Sequence, residues 1–416
     1  MLGGCAFQSG PVNTANNLPA AVRVSLPAAD SAEPAMAVDG EGNIYVLYVE
    51  HSQNKNGDKA ADIFLQRFDG AMKAEGERAR VNPNAGEAAA WRGDQPAIKI
   101  GADQKIYVGW NSPVKVPEGS ASNLMLSVSS DGGKTFAAPV KVNDDTAPAS
   151  HGMHALAVDG DKVYFAWLDE RFLQKDPPKK MPKEVAKNGE GMSHGQPEPN
   201  AELYFAVSKD NGKTFSENKK LAGNICPCCK VSLLAAKDGR LYLSWRQVLE
   251  GDMRHIAVAS SADTGESFTE PAIVSDDKWQ LMICPVSGAP LAVDENNTLR
   301  VAWYTAGEAG AAGLYTAESK DQGKTFSPRV LVSEGAVFGT PIMFYDGKAD
   351  FRVLWAANSK VVTGTISEGK SGPAKELIDG DLPSAAAAGA AGKHLFISYI
   401  KKEGDKRSIW LSETGN

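Results

Sequence analysis

The sequence lacks three features that would place it in common classes of protein. It has no apolar run of the roughly 18 residues needed to cross a bilayer, so no transmembrane helix is predicted. It has no excess of basic residues: 44 Lys and Arg stand against 51 Asp and Glu, giving a net charge of −7, so a nucleic-acid partner is not expected. It also has few cysteines, five in 416 residues.

Glycine and proline, in contrast, are plentiful, with 41 and 23 residues. With an ordinary hydrophobic content of 42%, this indicates a globular chain with many turns between short strands, and it argues against a helical bundle. At roughly 150 residues per domain the length would suggest two or three domains, unless the chain is built from repeats.

Such a repeat is present: a short apolar strand, a turn and a second strand ending near an aromatic residue recur seven times. Each copy is rich in β-branched and aromatic residues around an Asp, Gly or Asn turn, which predicts a β-hairpin. The copies lie at 35–49, 97–110, 155–167, 232–245, 290–303, 342–355 and 385–399. Five tryptophans recur near the ends of the second strands and are expected to pack between sheets: Trp110, Trp167, Trp245, Trp303 and Trp355.

Four repeats are followed by the pattern Ser-x-Asp-x-Gly-x-Thr/Ser-Phe, at 129–136, 208–215, 261–268 and 319–326. In such a turn the Asp side chain can accept backbone N–H groups, and Gly supplies a positive φ. The pattern resembles the Asp-box of the sialidase-like (BNR-repeat) β-propellers. The resemblance implies that the four carboxylates maintain the fold rather than catalyse: Asp131, Asp210, Asp263 and Asp321.

The repeats and the resemblance together predict an all-β fold over residues 20–416, a single β-propeller of seven four-stranded blades. Six blades remain possible, since sialidase propellers have six. The last repeat is one strand short, and the segment 20–25 resembles the outer strands of other repeats. We therefore expect this N-terminal strand to complete the last blade and close the ring, which would remove exposed sheet edges.

The N-terminal residues Leu2-Gly3-Gly4-Cys5 resemble the lipobox of bacterial lipoproteins, in which the cysteine is lipidated. On this interpretation residues 1–19 are a tether, and the protein is a periplasmic or cell-surface lipoprotein that meets a membrane only through its lipid. The setting would permit disulfides. The alternative is an unstructured terminus with an idle thiol.

Propeller geometry places the loops that precede each first strand on the face over the central channel, where propellers usually bind ligands. Four cysteines and two histidines map there: Cys226, Cys228, Cys229, Cys284, His151 and His154. Three interpretations stay open. Disulfides could join Cys226 to Cys284 and Cys228 to Cys229; thiolates and imidazoles could bind copper or zinc; or a dithiol could be redox-active.

Similarity to sialidases would imply three arginines that hold a substrate carboxylate, a tyrosine activated by a glutamate, and an aspartic acid/base. The family's Phe/Tyr-Arg-Ile-Pro motif is missing, and the nearest position reads Ala32-Glu33-Pro34-Ala35. The predicted function is therefore a binding or assembly module that takes a protein partner or small ligand at the channel face. An exo-sialidase-type glycoside hydrolase is the alternative, with weak candidates for its catalytic residues in Arg92, Asp94, Arg171, Arg246 and Tyr304.

Overall fold

The computed structural model describes residues 21–55, 57–117, 119–174, 200–280, 286–347, 350–388 and 394–415. The predicted tether, Cys5 and Cys284 lie outside these ranges. Within them the all-β prediction is confirmed: 29 strands accompany two short 3-10 helices, Arg171–Gln174 and Glu250–Asp252. No helix in these described ranges is long and apolar enough to cross a membrane.

The first strand, β1 (Ala21–Arg23), precedes two sheets that follow one another in the chain. Sheet 1 consists of β2 (Asp30–Val38), β3 (Ile44–Gln53), β4 (Lys59–Phe68) and β5 (Ala74–Arg80). Sheet 2 consists of β6 (Ala97–Ile100), β7 (Ile106–Val114), β8 (Ala121–Ser129) and β9 (Val140–Lys141). In both, each strand pairs antiparallel with the next.

The middle of the chain forms sheets 3 and 4, which are joined by one strand pair, Ile225 with Gln247. Sheet 3 consists of β10 (His151–Asp159), β11 (Lys162–Asp169), β12 (Ala201–Ser208) and β13 (Lys219–Ile225). Sheet 4 consists of β14 (Ser232–Ala235), β15 (Leu241–Leu249), β16 (Met253–Ser261) and β17 (Ala272–Ile273).

The C-terminal third forms sheets 5, 6 and 7. Sheet 5 consists of β18 (Leu291–Val293), β19 (Leu299–Thr305), β20 (Gly313–Ser319) and β21 (Val330–Glu334). Sheet 6 consists of β22 (Phe338–Tyr345), β23 (Phe351–Ala357), β24 (Lys360–Ser367), β25 (Lys370–Ser371) and β26 (Lys375–Asp379). Sheet 7 consists of β27 (Asp381–Ala388), β28 (His394–Glu403) and β29 (Lys406–Gly415).

The seven predicted hairpins are confirmed, since each corresponds to the first two strands of one sheet. The N-terminal strand β1 pairs antiparallel with β29, with Val22 opposite Leu411. The first strand of each sheet contacts the first strand of the next sheet, and β27 contacts β2. The sheets therefore pack face to face in chain order.

Hydrophobic clusters lie between neighbouring sheets because both faces of each sheet are covered. One cluster combines Leu47 of sheet 1 with Val108 and Trp110 of sheet 2. All five repeated tryptophans are buried, as expected. The indole of Trp167 donates to Asp169 Oδ2 at 2.8 Å, so that its polar edge is satisfied inside the core.

The four Asp-box turns link the third and fourth strands of sheets 2 to 5 and share one hydrogen-bond pattern. In the turn at 129–136, Ser129 Oγ donates to Asp131 Oδ1 at 2.8 Å and accepts the Gly133 N–H at 2.9 Å. The hydroxyl and amide of Thr135 also donate to Asp131, at 2.6 and 3.0 Å, and they lower the pKa of Asp131 to about 2. The same contacts recur in the other three turns.

Residues 91–95, which we call the crossing loop, connect sheets 1 and 2 but contact residues of sheets far from them in the chain. Arg92 pairs with Asp381 of sheet 7, with Nη1 3.3 Å from Oδ2. Lys230, which precedes sheet 4, donates to the Gln95 carbonyl at 2.6 Å. The crossing loop thus links parts of the chain that are not neighbours in sheet order.

Candidate functional site

A four-residue turn, 226–229, follows β13 and carries three of the chain's cysteines. Pro227 occupies the second position of this turn, where its fixed φ favours the β-turn conformation. The Cys229 N–H donates to the Cys226 carbonyl at 3.5 Å, which brings the first and last residues of the turn together. We call Cys226, Cys228 and Cys229 the thiol site.

The three sulfurs of the thiol site lie within 4.8 Å of one another. Cys226 Sγ is 3.6 Å from Cys228 Sγ and 3.6 Å from Cys229 Sγ. Cys226 and Cys229 are free thiols with 0% exposure, whereas Cys228 is disulfide-bonded and less deeply buried. The site therefore combines a buried reduced pair with an oxidised neighbour.

These oxidation states correct two predictions. Cys226 is a free thiol, so the predicted disulfide with Cys284 is wrong for Cys226, and Cys284 lies outside the described residues. Cys229 is also free, so the predicted Cys228–Cys229 disulfide is wrong. The physical reason is the turn, which brings Cys226 and Cys229 together in a buried pocket with Val248.

Two guanidinium groups approach the thiol site. Arg254 Nη1 donates to Cys226 Sγ at 3.2 Å, and its Nη2 donates to Asp252 Oδ1 at 2.8 Å. Arg246 is 1% exposed and lies against Trp279, 4.9 Å from the ring centroid. No spacing in the sequence points to Arg254, because its proximity to the thiols depends on how β15, β16 and the turn pack.

Arg246 is a buried cation that forms no ion pair with a carboxylate in the described part of the chain. Its Nη2 donates to carbonyls, at 3.0 Å to Tyr304 and 3.5 Å to Ser287. Its Nε and Nη1 are buried and have no hydrogen-bond partner among the described residues. A buried charge without a counter-charge is costly, so Arg246 favours an anion beside it.

Cys229 is the anion that the surroundings favour. A hydrogen bond from Cys226, helped by Arg246 and the Ser287 N–H, lowers the pKa of Cys229 to about 6. The same hydrogen bond and burial raise the pKa of Cys226. Because the two thiols titrate as a pair, they share one proton near neutral pH, with Cys226 as the donor.

The two histidines of the predicted metal set do not join the thiol site, which corrects that part of the prediction. His151 Nδ1 lies 2.5 Å from the Ser122 carbonyl, and its Nε2 lies 3.1 Å from Asp145 and 3.4 Å from Asp169. In both histidines the atoms that face the two ring nitrogens are carbonyl and carboxylate oxygens, and the potential metal-ligand atoms that cluster at the thiol site, among the described residues, are the three sulfurs.

His154 belongs instead to a buried charged cluster around Asp94 of the crossing loop. His154 Nε2 donates to the Gly109 carbonyl at 3.1 Å, and its Nδ1 lies 3.2 Å from Asp94 Oδ1. Lys230 Nζ lies 3.5 Å from the same oxygen. Burial opposes ionisation of Asp94, but its electrostatic and hydrogen-bond interactions with His154 and Lys230 outweigh burial and lower its pKa to about 2. Asp94 is thus held as a structural anion.

The remaining candidates for catalytic residues lie in separate networks. Arg171 pairs with Asp169 and Asp144 and stacks over Tyr204. Tyr304 packs edge-on against Trp279, with ring centroids 5.7 Å apart. Arg92 pairs with Asp381. Each of the three predicted arginines, Arg246 included, therefore has its own protein partners, and the contacts that they make do not join them in a triad.

Glu33 lies in the segment Ala32-Glu33-Pro34-Ala35 of β2. It is 2% exposed, its Oε2 lies 2.5 Å from His51 Nε2, and its Oε1 lies 3.6 Å from Arg407. A cavity of about 610 Å³ lies beside it and is also lined by Arg92 and Asp381. Trp91, beside Arg92 in the chain, and Phe338, whose ring lies under Arg92, are 45% and 46% exposed. Sequence reasoning missed Glu33 as a cavity-lining group because its neighbours in the chain, Ala32, Pro34 and Ala35, are apolar.

No protein-family model matches this chain, and no curated protein matches it either. Several solved structures are similar. A protein of unknown function from Dyadobacter fermentans DSM 18053 is 14% identical with a TM-score of 0.51, and the match covers 94% of this chain and 97% of that one. A Hadza microbial sialidase is 12% identical with a TM-score of 0.50, covering 96% of each chain.

An α-L-arabinanase from Penicillium chrysogenum is 11% identical with a TM-score of 0.50, covering 93% of each chain. At such low identity these similarities establish the fold and nothing about activity. The chain has the all-β fold of the β-propellers to which the sialidase and the arabinanase belong.

Proposed function

We propose that the protein is a non-hydrolytic binding module, built as a seven-bladed β-propeller, whose thiol site binds Cu(I). The observation that carries the proposal is the buried pair of free thiols, Cys226 and Cys229, with sulfurs 3.6 Å apart and a third sulfur equally close. A protein partner or small ligand at the channel face, and no nucleic acid, would accompany this role.

The seven-bladed ring is supported by the order of strand contacts. Seven sheets follow the seven repeats, and the contact of β27 with β2 brings the last sheet against the first. The pairing of β1 with β29 gives sheet 7 its fourth strand. A six-bladed ring would not account for all seven sheets, since the first strand of each contacts the first strands of the sheets before and after it.

The chemistry of the donor set favours Cu(I). Thiolate sulfur is a soft ligand that selects Cu(I), and a pair of thiolates can hold it. Zinc in structural sites takes four ligands, whereas the described residues bring three sulfurs together, and the histidines lie in other networks. A thiolate pair with Cu(I) carries a net charge of −1, which the neighbouring Arg246 and Arg254 stabilise.

Anaerobic titration with Cu(I) against a chromophoric chelator tests the proposal. One tightly bound ion per chain is expected, with Zn(II) bound more weakly. Cys226→Ser and Cys229→Ser combined are expected to lower the affinity by at least about a hundredfold, because both ligands are removed.

Val248→Ala is the matched control, since Val248 packs against the thiols without offering a ligand. It should weaken the fold and leave the affinity nearly unchanged. Wild-type protein that binds no Cu(I), or a double serine variant that binds it equally well, would contradict the proposal. Turnover of a fluorogenic sialoside that is lost in Arg92→Ala would instead favour the alternative, a sialidase-type hydrolase.

We further propose that the protein works outside the cytoplasm, as a periplasmic or cell-surface lipoprotein, with a lipid on Cys5. The support is the pattern Leu2-Gly3-Gly4-Cys5. Mass spectrometry of the N-terminal peptide from cell membranes should show a thioether-linked lipid at Cys5, and an unmodified cysteine in that peptide would contradict this proposal.

A further inference from the structure

The position of Cys228 in the thiol site has a consequence for how the site is controlled. Cys228 Sγ is as close to Cys226 Sγ as Cys229 Sγ is, at 3.6 Å. Three sulfurs within 4.8 Å of one another can surround a single small ion. As part of a disulfide, however, Cys228 offers no thiolate, and the thiolate is the form that binds metals.

We propose that Cys228 is the third ligand of the thiol site, available only after its disulfide has been reduced, so that a dithiol reductant controls Cu(I) affinity. The inference rests on the proposed function, because it concerns the same Cu(I) site. It adds a residue, a chemical partner and a mode of regulation to that function.

The charges around the site favour the three-sulfur state. One Cu(I) and three thiolates sum to −2, whereas one Cu(I) and two thiolates sum to −1. Arg246 and Arg254 bring two positive charges, and Arg246 has no carboxylate partner among the described residues. Asp252 faces Arg254, but its side chain is 45% exposed, so water screens its charge. With two thiolates the Cu(I) site and the two arginines sum to one excess positive charge, and the third thiolate neutralises it.

Burial explains why the reductant acts at Cys228. Cys226 and Cys229 are fully buried, and Cys228 is the least buried cysteine of the three. A dithiol from solution therefore meets the Cys228 disulfide before it meets the reduced pair.

The reaction is an ordinary thiol–disulfide exchange. A thiolate of the dithiol attacks one sulfur of the disulfide, forming a mixed disulfide, and the other protein cysteine leaves as a thiolate. The second thiolate of the reductant then attacks its own mixed disulfide, forming a cyclic disulfide and releasing the remaining protein cysteine. Two electrons pass from the dithiol to the protein, and Cys228 becomes a thiol or thiolate.

The test compares two forms of the full chain. One is used as purified, and the other is treated with a dithiol and desalted without oxygen. Thiols are counted after denaturation, and Cu(I) affinity is measured by chelator competition. We expect the reduced form to gain two thiols and at least about tenfold in affinity, the lower end of the effect of removing even an outer-sphere partner. X-ray absorption should show Cu(I) with three sulfur neighbours in the reduced form and two in the other.

Cys228→Ser is the decisive variant, and its fold is checked by circular dichroism. Its Cu(I) affinity should match that of the untreated wild type and should not respond to the dithiol. If this serine variant does not fold, the sulfur count from X-ray absorption of the two wild-type forms decides.

The outcomes separate the two proposals. Equal affinities and equal sulfur counts in both wild-type forms would overturn the control by Cys228 and leave the Cu(I) site standing. Absence of Cu(I) binding in both forms would overturn the proposed function itself. A Cys228→Ser variant that gains affinity on reduction would show that another disulfide is responsible, which also overturns the inference.

Discussion

The Asp-box turns and the turn of the thiol site are both short connections after a strand, but they differ in how well their polar groups are satisfied. In each Asp-box turn the serine donates to the aspartate at 2.7 or 2.8 Å, so the geometry repeats closely in four sheets. The thiol site occurs once and holds two free thiols beside Arg246, whose Nε and Nη1 have no hydrogen-bond partner in the part of the chain that the structure describes. The repeated turn satisfies its own polar groups, whereas the unrepeated turn leaves unsatisfied groups beside the thiols, which are the groups to which the proposed function assigns binding.

The largest difference between the thiol site and the Asp-box turns is expected as the pH is lowered, when Cu(I) affinity should be lost before the turns lose their contribution to stability. Cu(I) must displace the proton that Cys226 and Cys229 share, so the affinity for Cu(I) should fall about tenfold for each unit by which the pH is lowered toward the Cys229 pKa of about 6. Below that pKa a second proton must also be displaced, so the affinity should fall more steeply. The Asp-box aspartates have pKa values lowered from 3.8 to about 2. Their contribution to stability is therefore complete above pH 3.8 and lost as the pH falls through about 2.

Chelator competition and tryptophan fluorescence, measured on the same samples between neutral pH and pH 3, check this prediction. Affinity should be lost while the fluorescence remains that of folded protein. Simultaneous loss of both signals would mean that the two regions do not titrate independently.

Glycine replacement in an Asp-box should damage the fold and spare the site. Gly265 has a φ of 83°, and an added Cβ would lie 2.4 Å from the ring of Phe205. Gly265→Ala is therefore expected to lower the free energy of unfolding by about 3 kcal/mol, through backbone strain and overpacking.

Gly239→Ala is the matched control, because Gly239 has a φ of 80° but open space around it. It should cost only the backbone strain, about 1 kcal/mol. Urea unfolding measures both changes. Equal losses would show that the clash with Phe205 is relieved, and a fall in Cu(I) affinity would break the separation of fold and site.

Arg246→Gln should have the opposite effect to Gly265→Ala, because it changes the thiol site more than the fold. Removing the cation is expected to raise the pKa of Cys229 from about 6, and so to lower the thiolate fraction near neutral pH and with it the affinity for Cu(I). Ultraviolet thiolate absorbance against pH measures the shift. Arg23→Gln, which removes a surface pair with Glu403, is the control and should leave both quantities unchanged.

The smallest effect is expected from Asp131→Asn and Asp321→Asn. Each loses part of its charged hydrogen bonding in a solvated turn, at a cost of about 1 kcal/mol. Because the turns share one geometry, the two losses should agree within about 0.5 kcal/mol and should add in the double variant. Clearly unequal losses in urea unfolding would show that the turns are not equivalent.

The sequence allowed much of the fold to be predicted, because each hairpin signal is local. The strand patterns at 35–49 and 97–110 carry their own turn residues, and each Asp-box contains all the groups that satisfy its aspartate. The site was predicted less well. Grouping Cys226, Cys228 and Cys229 required only their positions in the chain, but their oxidation states depend on how the turn packs.

The histidines show the limit of reasoning from a shared face. The sequence predicts His151 and His154 beside the thiols, because all of these residues precede or begin the first strands of neighbouring sheets. Their partners, Asp169 and Asp94, could not be found from spacing, since Asp94 reaches His154 through the crossing loop. Long-range contacts of this kind leave no periodic signal.

The crossing loop also changes how the protein should come apart. In a chain of stacked repeats each unit touches only its neighbours, so stability is close to a sum along one dimension, and single units can open alone. Arg92 and Lys230 add links between units that are not adjacent, at Asp381 and Gln95. Such links couple distant units directly, so opening one sheet breaks contacts of another. Hydrogen exchange at the first strands of the sheets should then follow global unfolding rather than the opening of single sheets.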